Sequence, residues 1–584
     1  MPQTRLLLAA AGVLLLAGTA WIAGTGLLAR AELMAAQGGL ERLRQSFSAT
    51  DPRAGADGAG PRAAMDSAAA HAAKAHRLTT GPAWWLAAHV PYLGAPVSTA
   101  RGAAHAADRL THEVLPPVVG IGSDTRAGGL QTLLSALHGK APELDRASRA
   151  AAETRTQAAA LPRDTWLPAA DRARDHLVHQ LGTVTTAMAD MAVASRVLPP
   201  MLGGHEPRRY FVVFQNTAEA RGTGGLPGAF AVLTVNKGRL RFETFGNNTV
   251  LEHVRPSVDL GAEFRAQYGA SDPTGTWANT NLSPHFPYAA RIWTATWEKY
   301  SGEQVDGVAA LDPSALALLL RATGPAQLPD GTAVTADNVL DLTQRTGYAR
   351  YQDVAERKAF FLDVARAAAA RLTDAISDPR RVSALLTSVH EVVKQERLKV
   401  WSAQSDEQRI LETHPLSGAL PHDSGPFAGF VVNNAAGGKL DFYLERRLQW
   451  IPRHCTREGR PVTVRIRLSN RAPVSGLPDY VTLRVDKRSY ATRPGDNRLL
   501  ISYYASPGAQ LTRATVDGRR AMTASGVERG HPVYTLDMEL PAQETRTVTL
   551  QLVEPVSDRA PIVLRQPLVS PLNVDVQPYP SCAG

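Results

Sequence analysis

The chain is poor in the residues that build metal or redox centres. Of its 584 residues only two are cysteine, Cys455 and Cys582. That pair cannot form a Cys-based zinc site by itself. The sixteen histidines are scattered. No HExxH pattern occurs, and His176 and His179, three apart on a stretch of helical pattern, read as an exposed face. No GxSxG elbow is present, so hydrolase and zinc-protease readings lose their usual support. There is no dense Lys/Arg block, although Lys+Arg (63) exceed Asp+Glu (54) for a net charge of +9. So diffuse a surplus suits an anionic membrane surface, a wall polymer or phosphate ligands, and it argues against a nucleic-acid partner. With 44% apolar and 20% charged residues, wholesale disorder and collagen-like repetition are excluded. No internal repeat of fixed period is visible. The length implies about three or four structural units.

Long apolar runs are also scarce, with one exception. Residues 6–29, LLLAAAGVLLLAGTAWIAGTGLLA, carry no charge and lie between Arg5 and Arg30. A bilayer-spanning helix needs about 20 such residues, and a cleaved signal has a shorter core, roughly 7–15. The run reads as an uncleaved anchor, with a cleaved secretory signal as the alternative. This places the N-terminus in the cytoplasm and the chain from about residue 30 outside a single-pass membrane. Two late cysteines fit a disulfide in an oxidising compartment; two unpaired thiols are the other reading.

Four segments follow from pattern: a tip and anchor over 1–30, a helical region over 31–204, a mixed α/β region over 205–454 and an all-β module over 455–584. Residues 31–50 have Leu33, Leu40, Leu43 and Phe47 at helical spacing, and 51–62 form a Gly/Pro/Asp-rich break. Residues 63–200 are rich in Ala, Leu, Arg, Asp and Glu and read as several long helices. Within them GPAWWLAAHVPYLGAPV (81–97) is a short apolar patch, either a helix–helix core or a membrane-interface contact of the kind Trp and Tyr make. From Arg208, strand-like runs appear: RRYFVVFQN, then a hairpin of AVLTV and RLRFETF around Asn236-Lys237-Gly238, then VDGVAAL at 305–311. Asp312-Pro313 opens a helix that stops at Gly324-Pro325. Helical pattern resumes from Thr335 to about Glu412. The last segment holds PVTVRIRLSN, YVTLRVD, RLLISYYA, TRATVDG, VYTLDMEL, TRTVTLQLVE and PIVLRQPL, short strands spaced as in a sandwich. The fold class is therefore a multidomain α+β chain with an N-terminal transmembrane helix, a helical membrane-proximal region, a mixed α/β domain and a C-terminal β-sandwich.

One segment stands out for chemistry: FQNTAEARGTGGLPGAF, residues 214–230. Gly222, Gly224, Gly225 and Gly228 permit close backbone approach, and successive N–H groups there can cradle an anion. Arg221 offers a rigid fork for phosphate or carboxylate. Glu219, two residues earlier on the same face of an extended segment, can pair with it, ligate a metal or act as a base. The competing reading is a tight strand connection in which Glu219 and Arg221 pair structurally. A Walker loop is excluded because no Gly-Lys-Ser/Thr follows. Asn279, Asn281 and Ser283 precede a helix carrying Arg291; they read as caps or as a ligand-facing rim. VVNNAAGGKLDFYL (431–444) reads as a turn, with Asn433, Asn434, Lys439 and Asp441. Asp312 reads as a helix cap.

Taken together, QNTAEARGTGGLPGAF, NLSPHFPYAARIW, VDGVAALDPSALALLLRATGP, VWSAQSDEQRILETHPLSGAL and NNAAGGKLDFYLERR resemble the domain of unknown function 4012 family, found in single-pass membrane proteins abundant in actinobacteria. The resemblance runs from the anchor to the last cysteine. It implies an extracytoplasmic cell-envelope protein of unassigned activity, with a binding or scaffold role and an envelope protein or cell-wall polymer as partner. The family block matching NLSPHFP often carries an acidic residue where this chain has His285, which removes a carboxylate from that block. A fold-level similarity to the LytR–CpsA–Psr glycopolymer transferases implies an alternative. Arg221, with Arg291 as a second candidate arginine and with Asn216, Asn279, Asn281, Gly222, Gly224 and Gly225, would then hold a polyprenyl-pyrophosphate lipid. A divalent cation and Glu219 would assist. No residue is assigned a catalytic role beyond the candidate Glu219.

Overall fold

The computed structural model describes residues 2–48, 60–125, 129–422, 425–486, 490–578 and 582; the side chains of 2–17, 46–48, 123–125 and 379 lie outside that description. The break at 51–62 lies outside it up to residue 59. The chain divides into two compact units, Met1–Pro200 and Met201–Gly584, and its class is multidomain α+β.

The first unit is helical: α1 (Pro2–Ser48), α2 (Pro61–Thr79), α3 (Pro82–Ala88), α4 (Ala95–Arg109), α5 (Pro116–Thr125), α6 (Leu130–Ala159) and α7 (Pro168–Met201). Pro61 and Pro82 stand at first-turn positions, where a missing N–H costs nothing. Helix α2 runs back along α1: a Cβ on Gly39 would meet Ala68, Glu32 pairs with His71 and Lys74 at 2.6 Å each, and Trp84 donates to Thr25 Oγ1 at 2.9 Å. Small residues let these helices approach closely. A core of Leu137, Leu144, Ala147, Ala151 and Met188 closes the α6–α7 side. The charge-free run 6–29 belongs to α1, and most of its side chains fall outside the description. Among the described residues no helix is long and apolar enough to cross a membrane. Of the 81–97 patch, Trp84 is core and Trp85 is exposed.

The second unit opens with a five-stranded sheet, β3-β2-β1-β4-β5, from β1 (Arg208–Arg221), β2 (Gly224–Asn236), β3 (Arg239–Asn247), β4 (Gly307–Leu311) and β5 (Leu398–Ser402). Strand β4 lies parallel to β1; the other neighbours are antiparallel. Helix α8 (Ala262–Tyr268) and α9 (Phe286–Ser301) come between β3 and β4. Phe211, Val213 and Phe230 pack with Trp293 and Trp297 of α9. Phe214 points the other way by the two-residue strand period. It faces α10 (Pro313–Thr323) and α11 (Val354–Ser377) across a cavity; α12 (Pro379–Lys394) follows. The helical pattern expected up to Glu412 is interrupted by β5. Five residues between helices are too few for period to separate strand from helix, and pairing with β4 decides it.

The remainder is a two-sheet sandwich. Its strands are β6 (Phe427–Asn434), β7 (Leu444–Pro452), β8 (Arg460–Asn470), β9 (Asn497–Ala505), β10 (Gln510–Val516), β11 (Arg519–Arg520), β12 (Ala524–Glu528), β13 (His531–Leu540), β14 (Thr545–Glu554), β15 (Ile562–Arg565) and β16 (Asn573–Val576). One sheet has the order β11-β10-β14-β8-β7-β16, the other β12-β13-β9-β6-β15. Phe430, Trp450, Ile466, Tyr503 and Leu550 lie in the core between them. Two expectations need correction. The sandwich begins at Phe427, ahead of the boundary at 455, because β6 is buried along its whole length as a central strand and β7 pairs β8. YVTLRVD is no strand: Asp479–Thr482 is a helical turn. Its backbone bonds go instead to the 436–439 turn, with Lys439 N–H donating to Val481 O and Val485 N–H to Ala436 O. Cys455 and Cys582 form a disulfide.

Candidate functional site

The Gly-rich segment is a hairpin with a very short turn, not an open loop. Strand β1 continues through Arg221, which pairs Gly224, while Ala220 pairs Gly225. Only Gly222 and Thr223 make the turn. A Cβ on Gly222 would stand 2.2 Å from the Leu282 carbonyl, and one on Gly225 2.3 Å from the Asn216 backbone. These glycines admit neighbouring backbone, so they cradle protein rather than an anion. Asn281 clamps the turn, donating to Thr223 Oγ1 at 2.8 Å and Gly225 O at 2.9 Å.

Arg221 is buried and turned inward. It donates to Glu219 Oε1 (2.8 Å), Ala278 O (2.7 Å), Ala220 O (2.8 Å) and Asn434 O (3.3 Å). Four of its five N–H donors are thus spent inside the protein. Glu219 accepts from Lys439 on its other oxygen. Burial alone would raise the Glu219 carboxyl and lower the Lys439 ammonium. Their mutual attraction outweighs it, so Glu219 lies below and Lys439 above its ordinary value. The structural pairing of Glu219 with Arg221 is what the fold adopts. With both Glu219 oxygens held by cations, the residues present do not fit a divalent cation there. Among the described residues no group of three or more His, Cys, Asp or Glu side chains has the arrangement to hold one.

The other candidates scatter. Asn279, half-buried, donates to Ser271 O, the acceptor being at an exposed position. Arg291, which is exposed, donates to Asp259 O and does not join Arg221. The N-cap of α9 is His285, without a side-chain cap bond, so Asn279, Asn281 and Ser283 do not cap it. Ser283 instead donates to buried Glu528 and accepts from the His285 N–H. Burial holds the His285 imidazole well below its ordinary pKa, with Arg529 adding to this, and its Nδ1 accepts from the Leu420 N–H. Asp312 does cap α10, accepting from Ala315 N–H at 2.7 Å, and pairs with buried Arg397.

What the structure brings together is different. A cavity of about 230 Å³ lies between the sheet and helices α10 and α11. Phe214, Leu226, Leu316, Phe361 and Val364 make an apolar wall. Asn216, Gln344, Tyr348, Arg357, Lys439 and Tyr480 gather as the polar lining. Asn216 Nδ2 donates to the Tyr348 hydroxyl, whose pKa burial pushes up to about 12. The Arg357 guanidinium lies 3.7 Å from the Tyr480 ring centroid. It is 2% exposed and donates through Nη1 to Tyr351 O and Gln352 O. Its Nη2 is buried with no partner. Three cations, Arg357, Lys358 and Lys439, line the cavity with two carboxyl groups, Glu252 and Asp312. Of the residues singled out in the sequence, Asn216 and Gly228 of the Gly-rich segment line this cavity, as do Asp312 and Lys439, which had read as a cap and a turn. Arg357 and Lys439 could not be found as a pair, being 82 positions apart on a helix and a turn.

A second cavity, of about 250 Å³, is lined by Gly222, Thr223, Lys399, His414, Arg565 and Gln566 among others. Neither lining includes Arg221.

Fold and site together define a multidomain α+β protein whose central sheet domain carries a cavity with an apolar wall and a cationic end. Residues 205–348, from just before β1 to Tyr348, match the family described as "Protein of unknown function (DUF4012)". No curated protein matches the sequence. The crystal structure of protein gbs0355 from Streptococcus agalactiae is similar at 11% identity over 37% of this chain and 76% of that one. Its TM-score of 0.23 is too low to bear on the fold.

Proposed function

We propose that the protein is an extracytoplasmic cell-envelope binding protein, held to the membrane by its charge-free N-terminal run, whose central cavity takes a ligand with an apolar body and an anionic or carbonyl-rich head. The observation that carries this reading is the buried, unpartnered Nη2 of Arg357 at the polar end of a cavity whose other side is an apolar wall. An orphan buried donor costs about 1–3 kcal/mol unless something accepts from it, and a bound head group supplies the acceptor. The volume, about 230 Å³, lies below the usual range of ligand pockets, roughly 300–1,000 Å³. It therefore suits a head and a short apolar stretch rather than a whole lipid.

A polyprenyl-phosphate lipid has this chemistry and keeps the transferase reading as the alternative, with changed residues. Arg221 and Arg291 do not converge, so a phosphate would meet Arg357 and Lys439. The test is native mass spectrometry of the full chain gently extracted from its own membrane, beside Leu316→Trp, which fills the apolar wall. A co-purifying mass that disappears in Leu316→Trp supports the reading. Apo spectra from both, together with a more stable Leu316→Trp protein, would show a packing void and overturn it.

A further inference from the structure

We infer that the helical unit carries a second membrane contact, an aromatic wedge that enters the lipid headgroup region beside the point where α1 leaves the bilayer. The inference rests on the anchor reading of residues 6–29 and adds a surface to it. Thr25 lies about 28 Å along the helix from Leu6, at ~1.5 Å per residue. A hydrocarbon core of about 30 Å therefore puts Thr25 and Gly26 at its outer edge. At that level α3 docks: Trp84 donates to Thr25 Oγ1 and its ring would contact a Cβ on Gly26. Trp84 is spent on this joint, which turns Trp85 and Leu86 outward at 52% and 62% exposure.

The distribution of exposed apolar side chains supports this placement. Beyond α1, the large exposed hydrophobics among the described residues of this unit come from two segments only, 85–93, which runs from α3 into the turn after it, and 166–167. Distant in sequence, these segments meet in space, since Trp166 Nε1 donates to Leu93 O at 3.3 Å. Single exposed apolar residues need no explanation, but a cluster at one end does. Tyr92 takes a left-handed backbone conformation (φ 66°) that is costly for a bulky residue, and its side chain projects outward. Trp and Tyr are the residues that favour the headgroup level. Arg30, next along α1, and Arg163, three residues before Trp166, are exposed. Polarity returns along α1 at Glu32, with its bonds to Lys74 and His71. The occupant that fits a mixed Trp/Tyr/Leu surface continuous with a membrane helix is the lipid surface itself.

The test uses the full chain reconstituted in vesicles of phosphatidylcholine with a minority of phosphatidylglycerol. Leu86→Cys is labelled with an environment-sensitive dye, and exposed Arg149→Cys on α6 serves as control; the native cysteines are paired and do not react. Vesicle flotation and resistance to alkaline extraction are read in parallel and report on the anchor alone. Quenching by bromolipid at position 86 but not at 149 supports the wedge. An extraction-resistant protein with equal, unquenched signals at both positions overturns the wedge and leaves the anchor standing. A readily extracted protein overturns the anchor. Vesicle binding lost in Leu86→Ser/Leu93→Ser would then support the patch as a membrane surface in its own right, and no binding would overturn it.

Discussion

Buried charge sets the most testable behaviour of single residues. Glu554 in the sandwich accepts from Ser506 Oγ at 2.8 Å. Burial raises its pKa from 4.5 to about 7, against opposing hydrogen bonds and Arg460. A raised carboxyl pKa means that its stabilising contribution is complete below about pH 4.5 and is lost as pH rises through about 7. The rise corresponds to about 3 kcal/mol. Glu554→Gln is therefore expected to shrink the fall in unfolding free energy between pH 5 and pH 8 by up to that amount, measured by urea titration at both pH values. Glu219 has the opposite sign. Its pKa is depressed from 4.5 by Lys439 and Arg221 in spite of burial, so its contribution is present above about pH 4.5 and is lost as pH falls below. Glu219→Gln leaves two buried cations short of a counter-charge and is expected to cost about 3–5 kcal/mol, read as a lowered urea midpoint at pH 7.

At the scale of elements, the β1–β2 hairpin and the 434–441 turn are held by buried polar ties. Asp441 accepts from Ala220 N–H, Asn434 Nδ2 and Asn497 Nδ2, each at 2.7 Å. It thereby joins the hairpin to the C-terminal end of β6 and the N-terminal end of β9. Asp441→Ala is expected to lower stability by about 3 kcal/mol or more, since three buried donors lose their acceptor. Gly222→Ala drives a Cβ into the Leu282 carbonyl, and backbone must move. A loss of roughly 1–3 kcal/mol is expected, measured by thermal unfolding. Both effects would be seen in stability before any ligand is added, which separates a structural hairpin from an anion site.

For the molecule as a whole, the sandwich is not a detachable tail. Its β6 and β7 precede Cys455, and each sheet draws on strands from both sides of that residue. Truncation after residue 454 removes the partners of β6 and β7 and exposes Phe430 and Trp450. An aggregating product is expected, checked by size-exclusion chromatography; a monodisperse product would refute the continuity of the sandwich. The Cys455–Cys582 bridge spans a sequence separation of 127. In the chain-entropy description, closing such a loop stabilises by about 4–5 kcal/mol. Reduction is accordingly expected to lower the unfolding temperature of the second unit, measured by scanning calorimetry.

Much of the architecture was legible because period and punctuation are local. The helical first unit, the strand run from Arg208, the hairpin at Asn236-Lys237-Gly238, the Asp312 cap and most sandwich strands follow from side-chain spacing and turn residues. The turn at Gly222 was legible only as a choice between a ligand loop and a tight connection. Which one holds depends on Leu282, Ala278 and Asn434, residues remote in sequence that occupy the space and accept the Arg221 protons. Strand β5 and the non-strand at 480–486 were hidden for a related reason: short apolar segments take the state that their hydrogen-bond partners offer. The sequence alone determined the class of fold, the charge-free run and the family resemblance, because these rest on composition and on order along the chain. Only the tertiary structure decided that Arg221 is consumed internally, and that Arg357 and Lys439 share a cavity with Tyr480. Burial and long-range juxtaposition are properties of packing, which no local pattern encodes.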